Sequence, residues 1–234
     1  MTSRLPFYFV DVFATRPLTG NPLSLVPDAD GLDEARMRAI AREFNQSETT
    51  FLLRPSLPGA TVRLRSFTPA GVEVGGAGHN ALGAWLWLES AGRVTPAAMD
   101  GGLRQEITGQ VLPVEVIRTA GQPAMVWMDQ SPPRFGAVAG DRGGLAACLG
   151  LGAVAYARFF NPTVGIAEDP ATGTAAGPLA ARLVTEGRIP SDSTVIIEQG
   201  YALGRPSRIA VSVSRQRVRV GGSGVVAAEG SLIV

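Results

Sequence analysis

A chain of 234 residues with 45% apolar side chains can bury a sizeable core, as one large domain or two small ones. Its 21 basic and 20 acidic residues nearly cancel, which excludes a field steering it to nucleic acid or acidic membranes. One cysteine, Cys148, excludes an internal disulfide and a cysteine-built metal site, and a single histidine leaves no nitrogen–sulfur zinc site to expect.

Residues 1–13 show no basic, apolar, small-residue signal pattern, and no apolar run approaches the ~18 residues of a membrane span. A soluble, cytoplasmic protein is expected. In chain order, residues 7–13 form a strand, residues 17–22 a turn and residues 23–26 a second short strand. Residues 32–44 have helical spacing, with Leu32, Met37, Ile40, Ala41 and Phe44 on one side, and Asn45 and Gln46 end the helix. Residues 47–53 are β-rich, and residues 61–67 alternate as a neighbouring strand would.

The phrase R-x-F-x-P then occurs from Arg65 to Pro69 and again from Arg158 to Pro162. Each copy leads through an acidic residue to a small-residue helix opening. The first opening is Gly75-Gly-Ala-Gly78-His79-Asn80, running into an apolar helix with Trp85 and Trp87. The second is Glu168-Asp169-Pro-Ala-Thr172-Gly173-Thr174, running into another. Two related halves are expected, with central helices over residues 78–88 and 173–184. Asp169 and Thr172 are the candidates to cap the second helix, while Gly173 and Gly177 let a backbone or ligand come close. A helix start presents unpaired N–H groups and positive dipole, which suits a carboxylate.

Between and after these helices lie an exposed connection (89–102) and strands at 105–107, 112–118 and 124–129, the last two joined around Ala120-Gly121. A proline-bearing loop (131–135), a short helix with Cys148 (144–151) and a strand (154–160) follow. The tail reads as antiparallel strands at 194–198, 209–213, 217–220, 224–228 and 232–234. Arg215, Arg217 and Arg219 alternate there as one solvated strand face rather than a phosphate-binding stripe.

Three side chains have a chemical reading and a plainer one. Glu48 either faces solvent at a strand start or faces a cleft. His79 either bonds a carbonyl in a helix opening or meets a ligand at an anion site. Asp169 either caps a helix or serves as a second acid. No G-x-G-x-x-G with its distal acid, no G-K-[ST] and no serine elbow occurs. One imidazole, two acids and two anion-friendly helix starts suit proton movement on a small carboxylate-bearing substrate.

Thr19-Gly-Asn-Pro22, Ser47-Glu-Thr-Thr-Phe51, Phe67-Thr-Pro69, Gly76-Ala-Gly-His79, Glu168-Asp-Pro-Ala-Thr-Gly173 and Gln199-Gly with Gly204-Arg-Pro-Ser207 together resemble the PhzF-like phenazine-biosynthesis isomerases, relatives of the diaminopimelate epimerases. The resemblance implies an α+β fold of two similar lobes, each a curved antiparallel sheet or open barrel around a central helix, with the site between them. The lobes are expected over residues 1–110 and 111–234, with the last strand, 224–234, returning to the first.

The resemblance also implies no metal or organic cofactor, a small carboxylic or amino acid substrate, and a homodimer. Glu48 falls on the family's general acid/base, and His79 and Asp169 fall on its polar partners. Thr174 stands where the family often has serine, and Gly78, Asn80, Gly173 and Thr174 become expected substrate-binding residues. The reaction implied moves a proton along a conjugated acid and relocates a double bond. The chain departs from the pattern between Leu151 and Tyr156, where the family carries a further strand pair and helix. Two alternatives stay open: a two-base racemase or epimerase, and a non-catalytic small-molecule binder. The first is expected to fail, because neither helix opening carries the cysteine that the related epimerases use.

Overall fold

The computed structural model describes residues 4–76, 78–95, 100–134, 157–161, 166–214 and 217–234. Alternation along β1 (Arg4–Val12) sends Tyr8, Val10 and Val12 into one core and Phe7 towards another. β2 (Asn21–Val26) runs antiparallel to β1. Helix α1 (Glu34–Phe44) then crosses to β3 (Thr49–Leu53), which lies parallel to β2. The Asp33 carboxylate caps α1 by accepting from the Arg36 N–H at 2.8 Å, and Asn45 closes it in the left-handed region, φ 50°. Its apolar stripe, Met37, Ile40 and Ala41, packs with Val26, Phe51 and Phe67.

β4 (Val62–Phe67) pairs antiparallel with β3 and folds back as β5 (Glu73–Val74). Helix α2 (His79–Ser90) follows and leads to β6 (Arg104–Ile107), parallel to β4. Every residue of α2 from His79 to Leu88 is buried, as expected of a helix apolar on all sides. Gly83 lets it sit on the sheet, since a Cβ there would come within 2.6 Å of Leu23 and 2.7 Å of Val12.

β7 (Gln110–Ile117) pairs with β6 through residues 110–113 and with β8 (Met125–Gln130) through residues 114–117. The expected lobe boundary therefore falls at the start of a strand shared by both sides. β9 (Phe159–Asn161) and β10 (Ile166–Asp169) form a separate two-stranded sheet before α3 (Gly173–Thr185). β11 (Ser193–Gln199), β12 (Ser207–Val213), β13 (Val218–Gly222) and β14 (Gly224–Ile233) complete the chain.

The large curved sheet has twelve strands in the order β11-β12-β13-β8-β7-β6-β4-β3-β2-β1-β14, with β5 on β4, and it does not close. β14 pairs with β1 along its length, from Arg4–Ile233 to Val12–Gly224. α3 packs on β12 and β13 through Gly173, Ala176, Gly177, Ala180 and Ala181.

Several details depart from the sequence reading. The antiparallel pattern is broken at β2–β3 and β4–β6, where a helical crossover makes the pairs parallel. β10 is a strand that takes in Glu168 and Asp169, which were expected to begin the second helix opening. Residues 224–233 form one strand, as the lobe assignment expected and unlike the two strands of the tail reading, and Gly230 sits under Phe7, where a Cβ would come within 2.5 Å of that ring. The expected Cys148 helix, Pro162, Arg215 and the Leu151–Tyr156 junction lie outside the described residues. No helix of the described residues is long and apolar enough to cross a membrane.

Candidate active site

The repeated phrase encodes a repeated piece of structure. In the first copy Arg65 stacks 5.0 Å from the centre of the Phe67 ring and holds Glu73 of β5 at 2.7 Å. In the second, Arg158 stacks 4.9 Å from the Phe160 ring and holds Glu168 of β10 at 2.8 Å. A guanidinium can serve both partners because its flat face attracts the ring while its edge forks onto a carboxylate. Each hairpin then delivers a helix start to the same place. A Cβ on Gly78 would lie 3.4 Å from Thr174 Cγ2, so the two openings touch.

They meet at a cavity of about 670 Å³. Glu48, Gly78, His79, Asn80, Asp169, Gly173 and Thr174 all line it. Its other walls are Ser47, Thr172 and Gly76, the apolar Ala70, Val72, Val74, Phe159 and Ile166, and the polar Thr68 and Asn161. Among the described residues that line it there is no arginine, and the first-turn N–H groups of α2 and α3 supply positive potential.

Glu48 stands one residue before β3, and 19% of its side chain stays accessible. Its Oε2 is buried and makes no hydrogen bond to any described residue. Burial, and secondarily the charge of Asp169, pushes its carboxyl up to about 7. His79 Nδ1 lies 3.7 Å from that oxygen, beyond hydrogen-bond reach, and Ser47 Oγ lies 3.3 Å from His79 Nε2. Burial pushes His79 down to about 4, so the imidazole is neutral at pH 7.

Asp169 ends β10. Its Oδ1 accepts from Asn21 Nδ2 at 2.8 Å and its Oδ2 from the Thr172 hydroxyl. Burial raises its pKa, and those two bonds oppose the rise. The capping expectation needs correction. Thr172 occupies the N-cap position of α3 without a side-chain cap bond, because its hydroxyl goes to Asp169, whose oxygens in turn face Asn21 and Thr172. Asn80 is committed as well: its Oδ1 accepts from Gly78 N–H at 2.8 Å and its amide donates to Ser66 Oγ and Gly76 O. It shapes the loop that lines the cavity.

The residues that support Asp169 were not singled out as site residues. Asn21 reaches it from β2, and Gln199 donates to its carbonyl at 2.7 Å. The preceding strap is stitched to the C-terminal half by Arg205, which binds Asp11 at 2.6 Å and Gly20 O at 2.8 Å. Thr19-Gly-Asn21 and Gln199-Gly were visible as motifs, but nothing in them names a partner so distant in sequence. Ser47 was visible only as the neighbour of Glu48.

Against known proteins, the family described as phenazine biosynthesis-like protein (PhzC-PhzF) matches residues 10–153 and 146–230. Its two segments meet beside the expected departure at Leu151–Tyr156. A trans-2,3-dihydro-3-hydroxyanthranilate isomerase of Pseudomonas aeruginosa is 33% identical, covering 96% of this chain and 98% of its own. That alignment spans 274 residues, more than the 234 of this chain, so the relative carries a segment missing here. A PhzF-family protein of Bacillus anthracis superposes with a TM-score of 0.88 at 24% identity, covering 99% of this chain and all of its own. A hydroxyproline epimerase of Agrobacterium vitis shares the fold more loosely, with a TM-score of 0.60 at 11% identity over 99% of this chain and 93% of its own. Matched along nearly its whole length by the family and its isomerases, the chain belongs to the PhzC-PhzF, phenazine biosynthesis-like family and is an isomerase.

Proposed function

We propose that Glu48 is the general acid/base of an isomerisation that moves a proton along a small, unsaturated, carboxylate-bearing substrate. The observation that carries this reading is the free, buried Oε2 of Glu48 in the cavity, on a carboxyl that burial pushes up to about 7. The substrate carboxylate rests on the N–H groups of the two helix starts, and its apolar part lies against Val72, Val74, Phe159 and Ile166. Glu48 in its ionised form takes a proton from a carbon next to the double bond, the electron pair shifts along the conjugated system, and Glu48 returns the proton at the far carbon. One carboxyl on one face is sufficient. Asp169, with both oxygens already bonded, serves as the anchor for a polar substituent rather than as a second base. The relative's name, a dihydro-hydroxyanthranilate isomerase, makes cyclic unsaturated amino acids the first compounds to try.

The test begins with a screen of such acids for thermal stabilisation, followed by turnover of the hits in deuterated water. Glu48→Gln keeps the shape but cannot cycle a proton, so turnover is expected to fall about 10²–10⁴-fold while binding survives. Turnover within about threefold of the parent, well below that range, would remove Glu48 from the role. A parent protein that binds these acids and converts none would favour a binder. We also propose a homodimer in the cytoplasm, and light scattering at the 24.4 kDa of one chain would contradict the dimer.

A further inference from the structure

We infer that Ser47 is a positioning residue: its hydroxyl lets the His79 imidazole exchange tautomers, so that the nitrogen facing Glu48 always matches the protonation state of that carboxyl. The inference rests on the reading of Glu48 as the acid/base, but its geometry is separate. His79 lies between two groups on opposite ring nitrogens, Ser47 Oγ at 3.3 Å from Nε2 and Glu48 Oε2 at 3.7 Å from Nδ1. The ring is buried at the first position of α2, where a helix start disfavours a cation, so it holds one proton between its two nitrogens. A carboxylate accepts only, a carboxylic acid can donate, and a serine hydroxyl does either.

Two arrangements suit both neighbours of the ring, Ser47 by a hydrogen bond and Glu48 by charge and dipole across 3.7 Å. With Glu48 ionised, Nδ1 carries the proton towards the carboxylate, and Ser47 O–H donates to bare Nε2. With Glu48 protonated, its O–H faces bare Nδ1, and Nε2–H donates to Ser47 Oγ. The change moves one proton from Nδ1 to Nε2 and turns the hydroxyl, and no charge is created on the ring. Among the described residues, the other ionisable group lining the cavity is Asp169, at the end of β10. The β4–β5 hairpin and α3 contribute only uncharged lining residues. During turnover Glu48 alternates between its two forms, and a histidine locked in one tautomer would oppose one of them.

Because His79 is the only histidine in the chain, its ring nitrogens need no assignment. The full chain, labelled with ¹⁵N-imidazole histidine and free of any ligand, is followed by ¹H–¹⁵N correlation from pH 5.5 to 8.5. Protonated and bare ring nitrogens have well-separated shifts. The parent should pass from Nε2–H to Nδ1–H as pH rises, and Glu48→Gln should show no such change. Ser47→Ala removes the partner of Nε2 and should leave Nδ1–H at every pH, while Ser47→Thr restores the exchange. A parent tautomer that is constant over this range, an imidazolium at pH 5.5, or a Ser47→Ala variant that still exchanges would overturn the inference. These readouts need no substrate. Loss of turnover in Glu48→Gln with a constant tautomer would sink the Ser47 device and keep the acid/base assignment. The converse result would do the opposite.

Discussion

The two Arg–Phe–Glu hairpins are built alike, yet the helices they deliver live in different surroundings. α2 is buried on every side from His79 to Leu88, packed against β1, β2, β3, β8 and β14. α3 rests on β12 and β13 by a stripe of glycine and alanine, and Leu179 on its other side is 43% exposed. Phe67 is fully buried in the main sheet, whereas Phe160 is half-buried in a two-stranded sheet of its own. The same contrast runs into the chemistry. The first half supplies a carboxyl with a free oxygen, Glu48, and the second supplies one whose oxygens are both bonded, Asp169. On the proposed function, a duplicated frame carries two different jobs, one for moving a proton and one for holding what is moved.

The largest effect that could break this contrast is kinetic. Glu48→Gln is expected to lower kcat about 10²–10⁴-fold, whereas Asp169→Asn should raise KM as well as lower kcat, because it loosens binding along with the transition state. Equal, kcat-only losses in both variants would make them a two-base pair. Next in size is packing. Leu82→Ala in α2 should cost about 2–5 kcal/mol in urea unfolding, since it empties a fully buried site. Leu179→Ala in α3 should stay within about 0.5 kcal/mol. Comparable costs would mean that α3 is as enclosed as α2 in solution.

Much of this was legible in the sequence. The R-x-F-x-P phrase and the glycine-rich openings located both central helices, and the motifs around Glu48, His79 and Asp169 pointed to residues that line one cavity. What escaped depended on partners far along the chain. Glu168 and Asp169 look like turn residues until Arg158 neutralises one and Asn21 and Thr172 satisfy the other, and only then is β10 a reasonable strand. Gly230 looks like a turn until the Phe7 ring is laid over it. Local propensity marks such residues as breakers, and tertiary contacts overrule it.

Smaller effects sharpen the electrostatic side. A carboxyl raised from 4.5 to about 7 contributes stability that is full below about pH 4.5 and lost as pH rises through about 7. Glu48→Gln should therefore stabilise the fold at pH 8, by up to about 3 kcal/mol, and change little at pH 4.5. His79 has the opposite sign: depressed to about 4, it supports the fold above about pH 6.5 and withdraws support as pH falls through about 4. It adds nothing to the comparison at pH 8. An unfolding series at the two pH values checks both. Smallest of all, Arg65→Ala should destabilise more than Arg158→Ala, by about 1 kcal/mol, because a cation over a fully buried ring is better desolvated than one over a half-buried ring.

The most direct measurement is the titration of Glu48 itself, read from the ¹³C carboxyl shift of glutamate-labelled protein, with Glu48→Gln identifying the signal. A midpoint near 7 is expected, moving down in Asp169→Asn as a neighbouring negative charge is removed. A midpoint near 4.5, the ordinary value for glutamate, would show a solvated carboxylate and contradict its assignment as the proton-transfer group.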